Sequence, residues 1–202
     1  MSLSGLVHLI DDDEDVRRAV AFLLGTAGLA VKVYDSASGF LEKCDDFRSG
    51  CIVSDVRMPG IDGLELLRRL NKKGSRLPVI VMTGHADVAL AVAAMKEGAV
   101  DFIEKPFPDE VLLAAIQLAL SREEKGADSD VHAAEVRKRL ASLTVREKEV
   151  LDGLLAGHPN KTIAYDLGIS PRTVEVYRAN VMSKTGAHGL SDLVRIALLA
   201  GF

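Results

Sequence analysis

Five short apolar runs punctuate the first half of the chain: LVHLI (6–10), LAVKVY (29–34), GCIVSD (50–55), LPVIVMT (77–83) and AVDFIE (99–104). Runs of this length, rich in Val and Ile and bounded by polar or turn residues, predict β-strands. Between them the apolar positions change to helical spacing. Val16, Ala19, Val20, Leu23 and Leu24 form one such face. Val88, Ala91, Val92 and Met95 form another, in a helix over about 87–97 closed by Gly98. Strand and helix alternating five times predict an α/β fold: a doubly wound, five-stranded parallel sheet, here in the order 2-1-3-4-5.

The pattern changes within SREEKGADSDVHAAEVRKRL (121–140). Its middle, KGADSD, is small and polar without apolar periodicity and reads as a linker. Beyond it only helices are predicted, at about 144–156, 160–167, 171–184 and 191–200. The expected division is a first domain over 1–124, a linker over 125–138 and an all-α domain over 139–202.

Composition narrows the class. Of the 202 residues 48% are apolar, enough for two packed cores. Two cysteines, Cys44 and Cys51, imply no disulfide framework and fit a reducing cytoplasm. The longest nearly apolar run, VLLAAIQLAL (111–120), is too short for a bilayer, and no membrane partner is expected. Through Glu124 there are 14 basic against 20 acidic residues; from Lys125 onward there are 11 against 9. An acidic half and a mildly basic half point to different partners.

The acids are concentrated at Asp11 to Asp15, directly after the first strand. Acids there cap a helix start, but five exceed what a cap needs. Asp55 ends the third strand, Thr83 ends the fourth, and Lys105 follows the fifth. In a sheet of this order, the carboxyl ends of the strands border one crevice, where ligands bind. Carboxylates converging there repel one another unless a cation intervenes, and oxygen ligands with room for water suit Mg²⁺. A carboxylate beside a cation and an ammonium can also attack phosphorus.

DDDEDVRRAV, SDVRMPGIDGLELL, VIVMTGHAD and GAVDFIEKPF resemble, in order and spacing, the receiver domain of two-component response regulators. The resemblance covers residues 5 to about 122. It implies that Asp55 accepts a phosphoryl group from a sensor histidine kinase. It also implies that Asp12, Asp55 and the backbone carbonyl of Arg57 bind Mg²⁺, with Asp11 acting through water. Lys105 would pair with the phosphoryl oxygens, Thr83 would swing its hydroxyl toward them, and the Lys105–Pro106 bond would be cis. Phe102 takes the place of a rotating aromatic switch that is more often Tyr, so a hydrogen bond from the ring is excluded; a plain core Phe is the lesser alternative. The resemblance further places Val92 and Lys96 at a dimer contact of the activated receiver, Lys96 pairing with Asp101 or Glu104.

In the second half, NKTIAYDLGISPRTVEVYRANVMSK (160–184) has helix-turn-helix form. Gly168 gives the turn, Ser170 a cap and Pro171 the first helical position. Val174, Val181 and Met182 turn inward, leaving a polar face outward, as a helix in a DNA major groove requires. With LTVREKEVL (143–151), this stretch resembles the DNA-binding domain of the LuxR/FixJ group. By that resemblance Glu175, Val176, Arg178 and Ala179 reach bases. Lys161, Arg172, Thr173, Tyr177, Asn180 and Lys184 contact phosphates. The expected protein is a phosphorylation-switched transcriptional regulator, an activator working with RNA polymerase on double-stranded promoter DNA, homodimeric when phosphorylated. The genes would be those of nitrogen fixation and microaerobic growth, or of another pathway in the group. An Asp-nucleophile phosphohydrolase is the enzyme alternative, weakened by Arg57 where such enzymes place a second acid. A constitutive DNA-binding protein with a passive receiver is the other.

Overall fold

A computed structural model of the chain describes residues 5–44, 47, 49–84, 88–124, 136 and 138–200. Five strands are present: β1 (Leu6–Ile10), β2 (Ala30–Tyr34), β3 (Cys51–Asp55), β4 (Val79–Thr83) and β5 (Asp101–Glu104). They form one parallel sheet in the order β2-β1-β3-β4-β5. The interleaved helices are α1 (Glu14–Thr26), α2 (Ala37–Leu41), α3 (Gly63–Lys72), α4 (Val88–Lys96) and α5 (Asp109–Glu124).

Strands two to five start one or two residues later than the apolar runs that predict them. At β4 the reason is Pro78, which has no N–H for the ladder, although its carbonyl still accepts from Ile52 at 2.8 Å. Every residue of β3 and β4 is buried, as expected of central parallel strands covered on both faces. One core joins Val7, Leu9, Val53, Ile80 and Met82 of the sheet to Val20, Leu24, Leu112 and Ile116 of α1 and α5. Leu66, Leu67 and Leu70 bury the inner face of α3.

His8 is fully buried in β1, its ring 4.2 Å from Phe47 and edge-on to Phe40 at 5.5 Å. Nδ1 lies 3.3 Å from the Tyr34 hydroxyl, while Nε2 has no partner. Burial, helped by the charge of Lys32, pushes its pKa down to about 4, so the ring is neutral near pH 7.

Further along, the described residues include the helices α6 (Val145–Leu155), α7 (Asn160–Leu167), α8 (Pro171–Thr185) and α9 (Leu190–Ala200). A second core gathers Leu143, Val150, Leu151, Leu154, Ile163, Val174, Val181, Leu193 and Ile196. Backbone contacts divide the chain into two compact units, Met1–Ala86 with Glu97–Gly126, and Asp87–Lys96 with Ala127–Phe202. No helix among the described residues is long and apolar enough to cross a membrane.

Candidate functional site

The C-terminal rim of the sheet is held in register by the backbone. Asp11 N–H donates to the Tyr34 carbonyl at 3.2 Å, and Lys105 N–H to the Thr83 carbonyl at 2.6 Å. The residue after β1, the last residues of β3 and β4, and the residue after β5 therefore line one edge. Asp11 is 1% exposed, Asp55 7%, and Thr83 fully buried. The Lys105 ammonium bridges two carboxylates, donating to Asp11 Oδ2 at 2.7 Å and to Asp55 Oδ1 at 2.6 Å. The other Asp55 oxygen accepts the Arg57 backbone N–H at 2.6 Å. The Lys105–Pro106 peptide is cis.

Burial is the largest influence on Asp55 and raises its pKa above the ordinary aspartate value. Lys105 and the Arg57 N–H pull it down without cancelling the effect, and Asp11 adds to the rise. For Lys105 burial alone would lower the pKa, but hydrogen bonds to Asp11 and Asp55 outweigh it and the value is raised. One cation thus serves two acids, with Asp12 exposed beside them. The acidic run serves two ends. Asp13 caps α1, accepting from the N–H groups of Asp15 and Val16, while Asp11 turns into the crevice.

Two residues that sequence reasoning missed fix this edge. Arg17 reaches back from α1 to donate to the Asp11 carbonyl at 2.6 Å. Gly63, the first residue of α3, lies against the Asp55 backbone; a Cβ there would sit 2.4 Å from the Asp55 carbonyl oxygen and 3.0 Å from Val56 Cα. Only its position directly after the capping acid Asp62 hinted at this role.

Phe102 and Asp101 are half-buried, and Asp101 Oδ1 accepts the Phe102 N–H at 2.8 Å. Glu104 and Lys96 are exposed, whereas Val92 is only 4% exposed. Among the described residues no three His, Cys, Asp or Glu side chains gather into a ready-made metal cage. Mg²⁺ takes one or two carboxylates, keeps several waters and asks for hard oxygen donors. The buried Asp11 and Asp55 carboxylates and the exposed Asp12 carboxylate are oxygen donors of that chemical type.

In the helical unit, Gly168 ends α7 with φ 65° and ψ 35°, a left-handed turn that costs glycine little. Ser170 caps α8 and Pro171 is its first residue. Val174 and Val181 are buried, so α8 turns Arg172, Glu175, Val176, Ala179 and Asn180 outward. Val176 is 53% exposed. Arg172 and Glu175 pair with each other at 3.2 Å. Thr173 is half-buried, its hydroxyl 2.8 Å from that of Ser170. Tyr177 and Arg178 are half-buried, Tyr177 leaning on the core. Lys161 on α7 is exposed. Lys184, by contrast, is engaged with Glu147 at 2.7 Å.

This pairing of a phosphoacceptor-like crevice with a helix-turn-helix has close counterparts. Residues 7–117 match the response regulator receiver domain family, and residues 141–197 match the bacterial regulatory proteins of the luxR family. The chain belongs to the two-component response regulators, as a receiver joined to a DNA-binding domain of the luxR type. More narrowly, it is of the FixJ type. It is 59% identical over 196 residues to the transcriptional regulatory protein FixJ of Azorhizobium caulinodans, covering 96% of this chain and 92% of that one. It is 54% identical to FixJ of Rhizobium meliloti, covering 97% and 96%. The crystal structure of full-length FixJ from B. japonicum is 52% identical, with 98% and 97% covered and a TM-score of 0.59. Response regulators act with a histidine kinase and on DNA, and they are transcription regulators rather than a family of enzymes. The hydrolase alternative is overturned.

Proposed function

We propose that phosphorylation of Asp55 by a sensor histidine kinase switches this chain between two DNA-binding states. The observation that carries the reading is the Lys105 ammonium spanning Asp11 and Asp55 at 2.7 and 2.6 Å. It holds one Asp55 oxygen beside a cation at the carboxyl ends of the strands, the edge of a parallel sheet where ligands bind. An Asp55 oxygen forms a bond to phosphorus as the donor's P–N bond breaks, the imidazole leaving with the electron pair. Mg²⁺ held by Asp11, Asp12, Asp55 and the Arg57 carbonyl would supply the positive charge that offsets the phosphoryl oxygens. Lys105 then follows the phosphoryl group, and Thr83 and Phe102 reorient behind it.

The receiver domain in this reading spans 1–124, the linker 125–138 and the output domain 139–202. Phosphorylation favours a homodimer in which Lys96 meets Asp101 or Glu104 across a two-fold axis. Val92, buried in this structure, joins that contact only if α4 shifts. The dimer sets two α8 helices on half-sites about one DNA turn apart. Glu175, Val176, Arg178 and Ala179 read bases; Lys161, Arg172, Thr173, Tyr177 and Asn180 hold phosphates. Identity to FixJ at this level supports an activator of nitrogen-fixation and microaerobic genes, acting in the cytoplasm with RNA polymerase.

Incubation with Mg²⁺ and acetyl phosphate, followed by intact mass measurement, tests the switch. A stable gain of one phosphoryl group, lost on metal chelation, is expected. Absence of any gain would leave a passive receiver. Sequencing of fragments selected by the phosphorylated chain tests the gene assignment.

A further inference from the structure

The last turn of α8 carries a lysine that family resemblance assigns to a DNA phosphate, yet its ammonium is already committed. Lys184 Nζ donates to Glu147 Oε2 at 2.7 Å. The same oxygen accepts the Thr144 backbone N–H at 2.7 Å, and the Glu147 N–H donates to Thr144 Oγ1 at 3.3 Å. This closes a capping box at the start of α6. Glu147 is 3% exposed, so its carboxylate has little water and depends on these partners. One residue beyond Lys184, the Thr185 carbonyl accepts from the Arg139 guanidinium at 3.4 Å. The Thr185 hydroxyl turns back to the Val181 carbonyl at 2.8 Å. The far end of α8 is therefore tied to α6 and to the segment before it.

Helical spacing puts Lys184 on the flank of α8. It lies between the outward strip of Arg172, Val176 and Ala179 and the buried Val181 and Thr185. A bond from that flank to a buried anchor fixes the rotation of the helix about its own axis. We infer that Glu147 is a positioning residue for DNA recognition and that Lys184 is its strut rather than a phosphate contact. This rests on reading α7 and α8 as the DNA-binding pair. A helix free to roll still offers cations to any phosphate backbone, but it no longer presents one strip to the base edges. Loss of the strut therefore removes sequence preference before it removes binding.

The test uses the full chain with Mg²⁺ and acetyl phosphate, titrated by anisotropy against two DNAs across a salt series. One is a duplex that the wild type selects from a random pool; the other is poly(dI-dC). Glu147→Gln and Lys184→Met should each weaken the selected duplex about tenfold, the scale of one lost base contact. Both should leave poly(dI-dC) binding and the salt slope at wild-type values. The double variant should be no weaker than the worse single one, because both remove the same link. Lys184→Arg should restore preference. If Lys184→Met weakens both DNAs alike and lowers the salt slope by about one, Lys184 contacts phosphate and the proposal is overturned. Wild-type affinity in Glu147→Gln would overturn it equally. Should Glu147→Gln fail to fold by circular dichroism, the Lys184→Met and Lys184→Arg pair still decides. A wild type that selects no duplex at all sinks the DNA reading itself, an outcome distinct from variants losing a preference the wild type has.

Discussion

Asp55 and Glu147 are buried carboxylates in nearly identical company, and they behave in opposite ways. Each accepts a lysine ammonium, at 2.6 and 2.7 Å, and each accepts one backbone N–H at similar distance. The pKa of Asp55 is nevertheless raised, with burial the largest cause. That of Glu147 is lowered, first by the hydrogen bond from Lys184 and then by that from Thr144. At Asp55 burial outweighs the lysine, whereas at Glu147 the hydrogen bonds from Lys184 and Thr144 outweigh burial. The cation is divided differently as well: Lys105 bridges Asp55 and Asp11, while Lys184 meets Glu147. The neighbouring Asp11 charge adds a smaller push in the same direction as burial at Asp55.

The widest separation between the two should appear in labelling. Asp55→Asn keeps the shape and removes the nucleophile, so incorporation from acetyl phosphate should disappear by intact mass. Glu147→Gln should label like the wild type. Equal labelling of both variants would move the acceptor elsewhere and end the comparison.

Acid should separate the two units next. The pKa of His8 is lowered, so the folded ring stays neutral while the unfolded ring takes a proton near pH 6.5. Its contribution is complete above about pH 6.5 and is lost as pH falls toward about 4, a change of about 2–3 kcal/mol. Glu147 runs through a lower window. Its lowered pKa gives stability that is present above the usual glutamate value of 4.5 and lost as pH falls through the folded value. Urea unfolding from pH 7 to 5 should show the first loss in the wild type and not in His8→Phe. Below pH 4.5, Glu147→Gln should flatten the remaining slope. A wild type equally stable at pH 7 and 5 would remove His8 from this account.

Backbone support gives a smaller contrast. Gly63→Ala forces a Cβ toward the Asp55 carbonyl and should cost about 2 kcal/mol, with slower labelling. Thr144→Ala removes only the cap beside Glu147 and should cost about 1 kcal/mol without touching labelling. Thermal melts with labelling rates check both, and unchanged labelling in Gly63→Ala would free Asp55 from α3. The smallest effect is expected at Lys161, exposed and unlike Lys184. Lys161→Ala should lower the DNA salt slope by about one while keeping sequence preference.

Much of the first unit was legible because its signals are local. Five apolar runs gave the sheet, and Asp11, Asp55, Thr83 and Lys105 fall at strand ends that a parallel sheet must bring to one rim. Gly168, Ser170 and Pro171 likewise mark the turn between α7 and α8 from sequence alone. What stayed hidden depends on how elements separated in sequence pack in space. Glu147 and Lys184 stand 37 residues apart, and nothing in either helix says which cation faces which acid. Gly63 looks like any residue after a capping Asp until the Asp55 carbonyl is seen beneath it. His8 reads as one polar interruption of an apolar strand, and its aromatic surround comes from Phe40 and Phe47, outside any strand.

The strand order carries a consequence for how the chain is made. β2 pairs with β1, β3 covers the other side of β1, β4 then joins β3, and β5 joins β4. After the first pair, β3 takes the free side of β1 and each later strand adds to the edge last created, so no pairing must wait for sequence further downstream. The most apolar strands, β3 and β4, are each covered by the next strand made, which shortens the time their open edges can recruit another chain. The edges left at the end are β2, which carries Lys32, and β5, which carries Asp101 and Glu104. Both finish the sheet with charge, so growth that proceeds in the order of synthesis also stops itself.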